Sequence, residues 1–358
     1  MATHLLRLIA LFIIPTTISL LSATAEARQF ARTRSTLWQN ASGHNLAVHP
    51  QTGQILVAAL DPRETAVVRT YSPDLSTSSE RTFGQSSGFA LSISSSGKFI
   101  DLVTMPSENL DFTFSLFDGR LSSEKPLAQR VIRDPEFPVN GLSIGDRDNA
   151  PTLLILNFQT KTISLENLFT RHQTSIPIAD DLQLLRFYHS PQATSADFSL
   201  FAVGRTGPAW TDPGFDLYSL PALSKIDLDT QPLNNVSSIN FAQHSRTLLV
   251  GDETGQIAAW DLQQPEPRRT CLIEPSELLA KHEVRQLALS KSGRCLAAEL
   301  NGDLVIWNLP EGRHLTTLDR QNRDWTSFAW RDETLVTLAN EAAQPHSKNT
   351  RIEFWELK

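Results

Sequence analysis

Val284-Arg285-Gln286-Leu287-Ala288-Leu289-Ser290-Lys291-Ser292-Gly293-Arg294-Cys295-Leu296-Ala297-Ala298-Glu299-Leu300-Asn301-Gly302-Asp303-Leu304-Val305-Ile306-Trp307-Asn308-Leu309 is the stretch that decides the fold. Val284, Leu287 and Leu289 recur with the alternation of a half-buried strand. Ser292-Gly293 and Asn301-Gly302 read as hairpin turns, because glycine and asparagine accept the positive φ that tight turns need. A further strand ends at Trp307, and another leads into the run. The pattern returns. Trp260-Asp261-Leu262, Trp307-Asn308-Leu309 and Trp355-Glu356-Leu357 place tryptophan at intervals of 47 and 48 residues. A period in the forties with several strands per repeat marks an array of small sheets, none of which buries both its faces alone.

These residues resemble a WD-repeat β-propeller. In that family a histidine precedes the inner strand, a glycine turn joins the first two strands, and Trp-Asp ends the third. The stronger matches are 236–262 and 284–309, and a weaker form runs through nearly all of 28–358. Inner strands are expected at 46–49, 89–94, 141–144, 182–189, 236–241, 284–290 and 325–330, each followed by a partner with the same turn cues. Third strands end in Leu116-Phe117-Asp118 and Leu217-Tyr218-Ser219-Leu220. Trp-Asp proper occurs once, at Trp260, and Gly-His once, at Gly43-His44, so the family's His–Ser–Trp–Asp network is mostly absent. The expected fold is all-β: a single seven-bladed propeller closed by an N-terminal strand at 33–38, pairing outside 351–357. The alternative, two β-sandwiches divided near residue 170, lacks any Pro/Gly/Ser-rich linker or charge run to mark the division.

Composition sets outer limits. The 358 residues are 40% hydrophobic and 20% charged, enough for a sizeable core and too apolar for disorder. Net charge is −7, from 32 basic and 39 acidic side chains, which argues against sequence-independent nucleic-acid binding. Residues 1–27 read as a signal peptide. His4 and Arg7 precede an uncharged apolar stretch over 8–21, too short for a lasting membrane anchor, and Ala23-Thr24-Ala25 and Ala25-Glu26-Ala27 are small-x-small cleavage patterns. Residues 28–358 are then an exported chain of the periplasm or extracellular space, monomeric on its own and with no membrane insertion after cleavage.

Export favours disulfides, yet the two cysteines are expected to stay apart. By the resemblance, Cys271 lies in the outermost strand of the sixth blade and Cys295 in the second strand of that blade. Two strand spacings separate α-carbons by roughly 9–10 Å, whereas a disulfide needs about 4.4–6.8 Å.

No motif establishes a chemistry. Gly141-Leu142-Ser143-Ile144-Gly145 has the letters of a nucleophile elbow, but turn residues and a second strand follow where the elbow needs a helix. The nine histidines show no metal-ligand spacing, and by the resemblance His44 and His282 are structural. Asp180-Asp181 would point to opposite faces of a strand. There is no phosphate-cradling glycine loop or calcium loop, and no cofactor is expected. The loops joining second to third strands, and outer strands to the next inner ones, share one face of a propeller. Here they carry Arg63, Phe137, Trp210, Asp212, Arg323 and His346, the candidate binding residues. Trp210, among glycines and prolines, reads equally as a contact residue or a plug over the channel. The resemblance implies a non-catalytic scaffold binding a protein partner. The alternative is a propeller enzyme, a lactonase-like hydrolase or quinone-cofactor dehydrogenase, whose acids or histidines would converge at the channel mouth.

Overall fold

A computed structural model describes residues 30–357 apart from 95, 106–111, 133–142, 148–149, 158–161, 178–190, 206–213, 221, 223, 230–232, 243–245, 265–266, 275–281, 321–322 and 342–348. The signal-peptide expectation over 1–27 lies outside these residues. Short aliphatic runs separated by left-handed turn residues (Gly53, Gly97 and Gly293 among them) give seven antiparallel sheets of four strands each. From the innermost strand outward, the first blade is β2 (Ser42–Val48), β3 (Ile55–Leu60), β4 (Thr65–Tyr71) and β5 (Ser78–Gln85). The second is β6 (Gly88–Ile93), β7 (Phe99–Met105), β8 (Phe112–Asp118) and β9 (Ala128–Ile132). The third is β10 (Ser143–Arg147), β11 (Ala150–Asn157), β12 (Thr162–Asn167) and β13 (Gln173–Pro177). The fourth is β14 (Gln192–Thr194), β15 (Leu200–Arg205), β16 (Gly214–Ser219) and β17 (Ser224–Ile226). The fifth is β18 (Val236–Phe241), β19 (Thr247–Asp252), β20 (Ile257–Asp261) and β21 (Arg268–Ile273). The sixth is β22 (Val284–Leu289), β23 (Cys295–Leu300), β24 (Asp303–Asn308) and β25 (Arg313–Leu318). The seventh takes β26 (Arg323–Arg331), β27 (Thr334–Glu341) and β28 (Asn349–Leu357), and its outermost strand is β1 (Phe30–Trp38).

The ring is a seven-bladed β-propeller, and its closure is the expected one. β1 runs antiparallel to β28 from Phe30 opposite Leu357 to Trp38 opposite Thr350. Each joint between blades holds one apolar cluster. The closing joint packs Ile55 and Val57 of the first blade with Trp38, Val336, Leu338 and Phe354 of the seventh. Beside it, the Thr350 hydroxyl accepts the Gly43 N–H at 2.6 Å and lies 2.8 Å from the Ala41 carbonyl. A Cβ on Gly43 would fall 2.7 Å from the Thr350 methyl, so only glycine allows this approach.

The repeated tryptophans share one slot. Trp260, Trp307 and Trp355 stand opposite Leu248, Leu296 and Leu335, all fully buried second-strand residues. Tyr71, Phe117 and Tyr218 fill the slot in blades one, two and four. In blade three it holds buried Glu166, with Arg171 at 3.0 Å and Arg130 at 3.5 Å. A carboxylate buried without such partners would cost several kcal/mol.

Two expectations need correction. The fourth blade's innermost strand is β14, where Gln192 faces Val203. Residues 182–189, where alternation placed that strand, lie outside the described residues. The hairpin is fixed by the turn that follows. Ser195 and Leu200 close it through the Ser195 N–H, and the Ser195 hydroxyl accepts the Leu200 N–H at 2.9 Å.

The cysteines also differ from expectation. Cys271 lies on β21 and so belongs to the fifth blade, not the sixth. The strand leading into a blade completes the blade before it. Both thiols are free, but for a different reason: Cys271 packs at the joint of blades five and six, Cys295 at the joint of six and seven, and the sixth sheet stands between them. Burial, reinforced by nearby Glu333, pushes the Cys295 thiol up to about 11, so it stays protonated. Thiol titration of the denatured, unreduced protein should count two. A count of zero would mean that the sheet does not separate them.

Candidate functional site

Strand direction defines two faces. Ser42 at the start of β2 stands opposite Leu60 at the end of β3, and Arg323 at the start of β26 opposite Glu341 at the end of β27. The β3–β4 turn carrying Arg63 and the first residue of β26 therefore share one face, as expected. Arg63 is exposed, on a turn that its own sequence stiffens. The Asp61 carboxylate accepts the N–H groups of Arg63 and Thr65, both at 2.8 Å, and Glu64 adopts a left-handed φ of 58°. Arg323 opens β26, but its side chain is not among those described. Phe137, Trp210, Asp212 and His346 lie outside the described residues.

At the opposite end of the inner strands the channel encloses about 220 Å³, walled by residues that include Val48, Ser92, Asn240, Gln286, Leu289 and Trp330. Most of the polar groups here are engaged with the neighbouring blade. An innermost strand has one edge without a strand partner, and its carbonyls need donors. Ser237 donates to Val284 O at 2.8 Å and Asn240 to Leu287 O at 2.6 Å, joining blades five and six. Gln286 donates to Phe328 O at 3.1 Å, and Trp330 returns a bond to Ala288 O at 3.0 Å, joining six and seven. Lys291 at the rim pairs with Asp332 at 2.9 Å.

Among the described residues, no three His, Cys, Asp or Glu side chains converge. The Gly141–Gly145 motif is no elbow. Ser143 begins β10, Arg147 pairs with Ala150, and β11 follows; Gly141 and Leu142 lie outside the described residues, as do Asp180 and Asp181.

The histidine that matters structurally is His49, which sequence reading did not single out. His44 is exposed and His282 half-buried, whereas His49 is only 4% exposed at the end of β2. Its Nδ1 accepts the N–H groups of Gln51 at 3.2 Å and Thr52 at 3.3 Å. Its ring lies so close to Gly97 of the second blade that a Cβ there would fall 2.5 Å from Cε1. A signal was present in the sequence: His49 precedes Pro-Gln-Thr-Gly, at the position where Ser94, Ser195 and Ser290 cap the equivalent turns.

No protein-family model matches the chain. Among solved structures it is similar to the crystal structure of the Myceliophteria thermophila Cps50 (Swd1) β-propeller domain. That likeness covers 92% of this chain and 100% of that one, at a TM-score of 0.66 and 13% identity. The likeness is one of fold, a WD-repeat-like β-propeller.

His49 gives this end of the ring a pH dependence. Burial holds its pKa below 6.5 against the opposing pull of the Gly97 backbone, and protonation would remove the Nδ1 acceptor. The lowered folded pKa means that stability is full at neutral pH and declines as pH falls below about 6.5. His49→Asn, which keeps an acceptor near Nδ1 and does not titrate, should lose less melting temperature between pH 7 and 5 than the parent. Equal losses would exclude His49 as the cause.

Proposed function

We propose that the chain is a non-catalytic scaffold of the periplasm or extracellular space, holding a protein partner on the face that carries Arg63 and Arg323. One observation carries this reading: the described polar side chains of the channel mostly lace blade to blade, while the loop face offers exposed Arg63 on a rigid turn. A rigid ring presenting variable loops is how a fold serves recognition without chemistry. The apolar stretch over 8–21 with its cleavage patterns supports export. The acidic balance supports a protein partner over nucleic acid.

Affinity capture from the native envelope with tagged 28–358, followed by titration of the captured partner, tests the reading. Trp210→Ala should weaken that partner by over ~2 kcal/mol, about thirtyfold in Kd, with melting unchanged. Intact binding with a large loss of melting temperature would make Trp210 a channel plug instead and remove it from the site.

A further inference from the structure

The second-strand position one residue beyond the tryptophan-facing one is buried in every blade. Six blades fill it with Leu56, Leu154, Ala202, Leu249, Ala297 and Val336. The second blade places Asp101 there, 4% exposed and opposite Ser92 on β6. Its strand neighbours Phe99 and Val103, and Leu116 opposite it on β8, pack into the joint with Leu153, Ile155 and Leu168 of the third blade. The Ser92 hydroxyl donates to the Asp101 carboxylate. Ser92 itself is exposed and lines the channel cavity, so solvent protons reach the pair from the channel.

The charged groups on the surrounding elements are already committed or distant. Asp118 at the end of β8 is held by the backbone of its own turn, and Lys98 before β7 is exposed. On the third blade, Glu166 of β12 is paired with Arg130 of β9 and with Arg171. Asp146 and Arg147 stand at the hairpin end of β10, three and four residues beyond Ser143. β11 carries no charged residue.

We propose that Asp101 makes the joint between blades two and three proton-operated, tight when the carboxyl is neutral and loosened when it is ionised. The physical reason is that an ionised carboxylate inside an apolar joint, with one hydroxyl and its own backbone N–H for partners, is poorly solvated, while its neutral form is tolerated. Burial accordingly pushes its pKa up to about 6, and the Ser92 bond draws it only part of the way back. The sign follows. A carboxyl whose folded pKa exceeds its unfolded value adds stability at low pH, and that contribution fades as pH rises through about 6. This slope is opposite to that of His49.

The test compares melting temperatures of the parent and Asp101→Asn from pH 5 to 7.5, a difference in which the His49 contribution cancels. The advantage of Asp101→Asn over the parent should grow as pH rises from 5 and level off above about 6, the folded pKa. A difference that does not vary with pH would overturn the proposal. Should the variant fail to fold, the parent chain gives the second reading by amide exchange corrected for intrinsic rates. Protection in β7 and β11 should fall between pH 5.5 and 7.5 relative to β19 and β23; equal changes at the two joints would overturn it as well.

Discussion

Every sheet of this chain is apolar on both faces, and that constraint dictates the rest. A row of seven such sheets would leave two faces in water, so the first must meet the last. Drawing together ends about 300 residues apart costs on the order of 5 kcal/mol in chain entropy. The Arg32–Glu353 pair at 2.8 Å cannot offset that by itself, since Arg32 is half exposed and the attraction is set against the cost of burying the Glu353 carboxylate. The closing joint is instead held by the β1–β28 ladder together with the cluster around Trp38, Ile352 and Phe354. Arg32 has a different role: it gives the fully buried Glu353 carboxylate a partner.

Closure makes the innermost strands a ring of edges, and their carbonyls explain why polar residues face the channel at all. Ser237, Asn240, Gln286 and Trp330 each bond backbone on the adjoining blade. Farther out, Arg81 of β5 reaches the carbonyls of Leu121, Ser123 and Glu124 while stacking on Phe83 and Phe117. Such cross-blade bonds stiffen the frame from which the loops project. A rigid frame lowers the ordering cost of binding, which is the physical advantage of a propeller as a recognition scaffold.

Much of this was legible in the residues, and what was hidden had a cause. Blades five to seven announced themselves because tryptophan occupies the third-strand slot. Blade three did not, because Glu166 fills that slot, paired with Arg171 of the turn that follows its strand and with Arg130 of the second blade. The fourth inner strand was misplaced because β14 is only three residues long and carries Gln-Ala-Thr, too short and too polar for periodicity to register. Cys271 was assigned to the wrong blade because sequence repeat and structural blade are out of phase by one strand. The candidate site was legible only as loop positions: Arg63 and Arg323 share a face through strand register, but residue type alone says nothing of what meets them.

Removal of residues 28–38 tests the closure most directly, read by light scattering during gel filtration and by thermal melting. The expected result is a ring with an exposed β28 edge and an uncovered Glu353, self-associating and melting well below the parent. A monomer with unchanged melting would contradict the account, because the blades would then be holding the ring closed without β1.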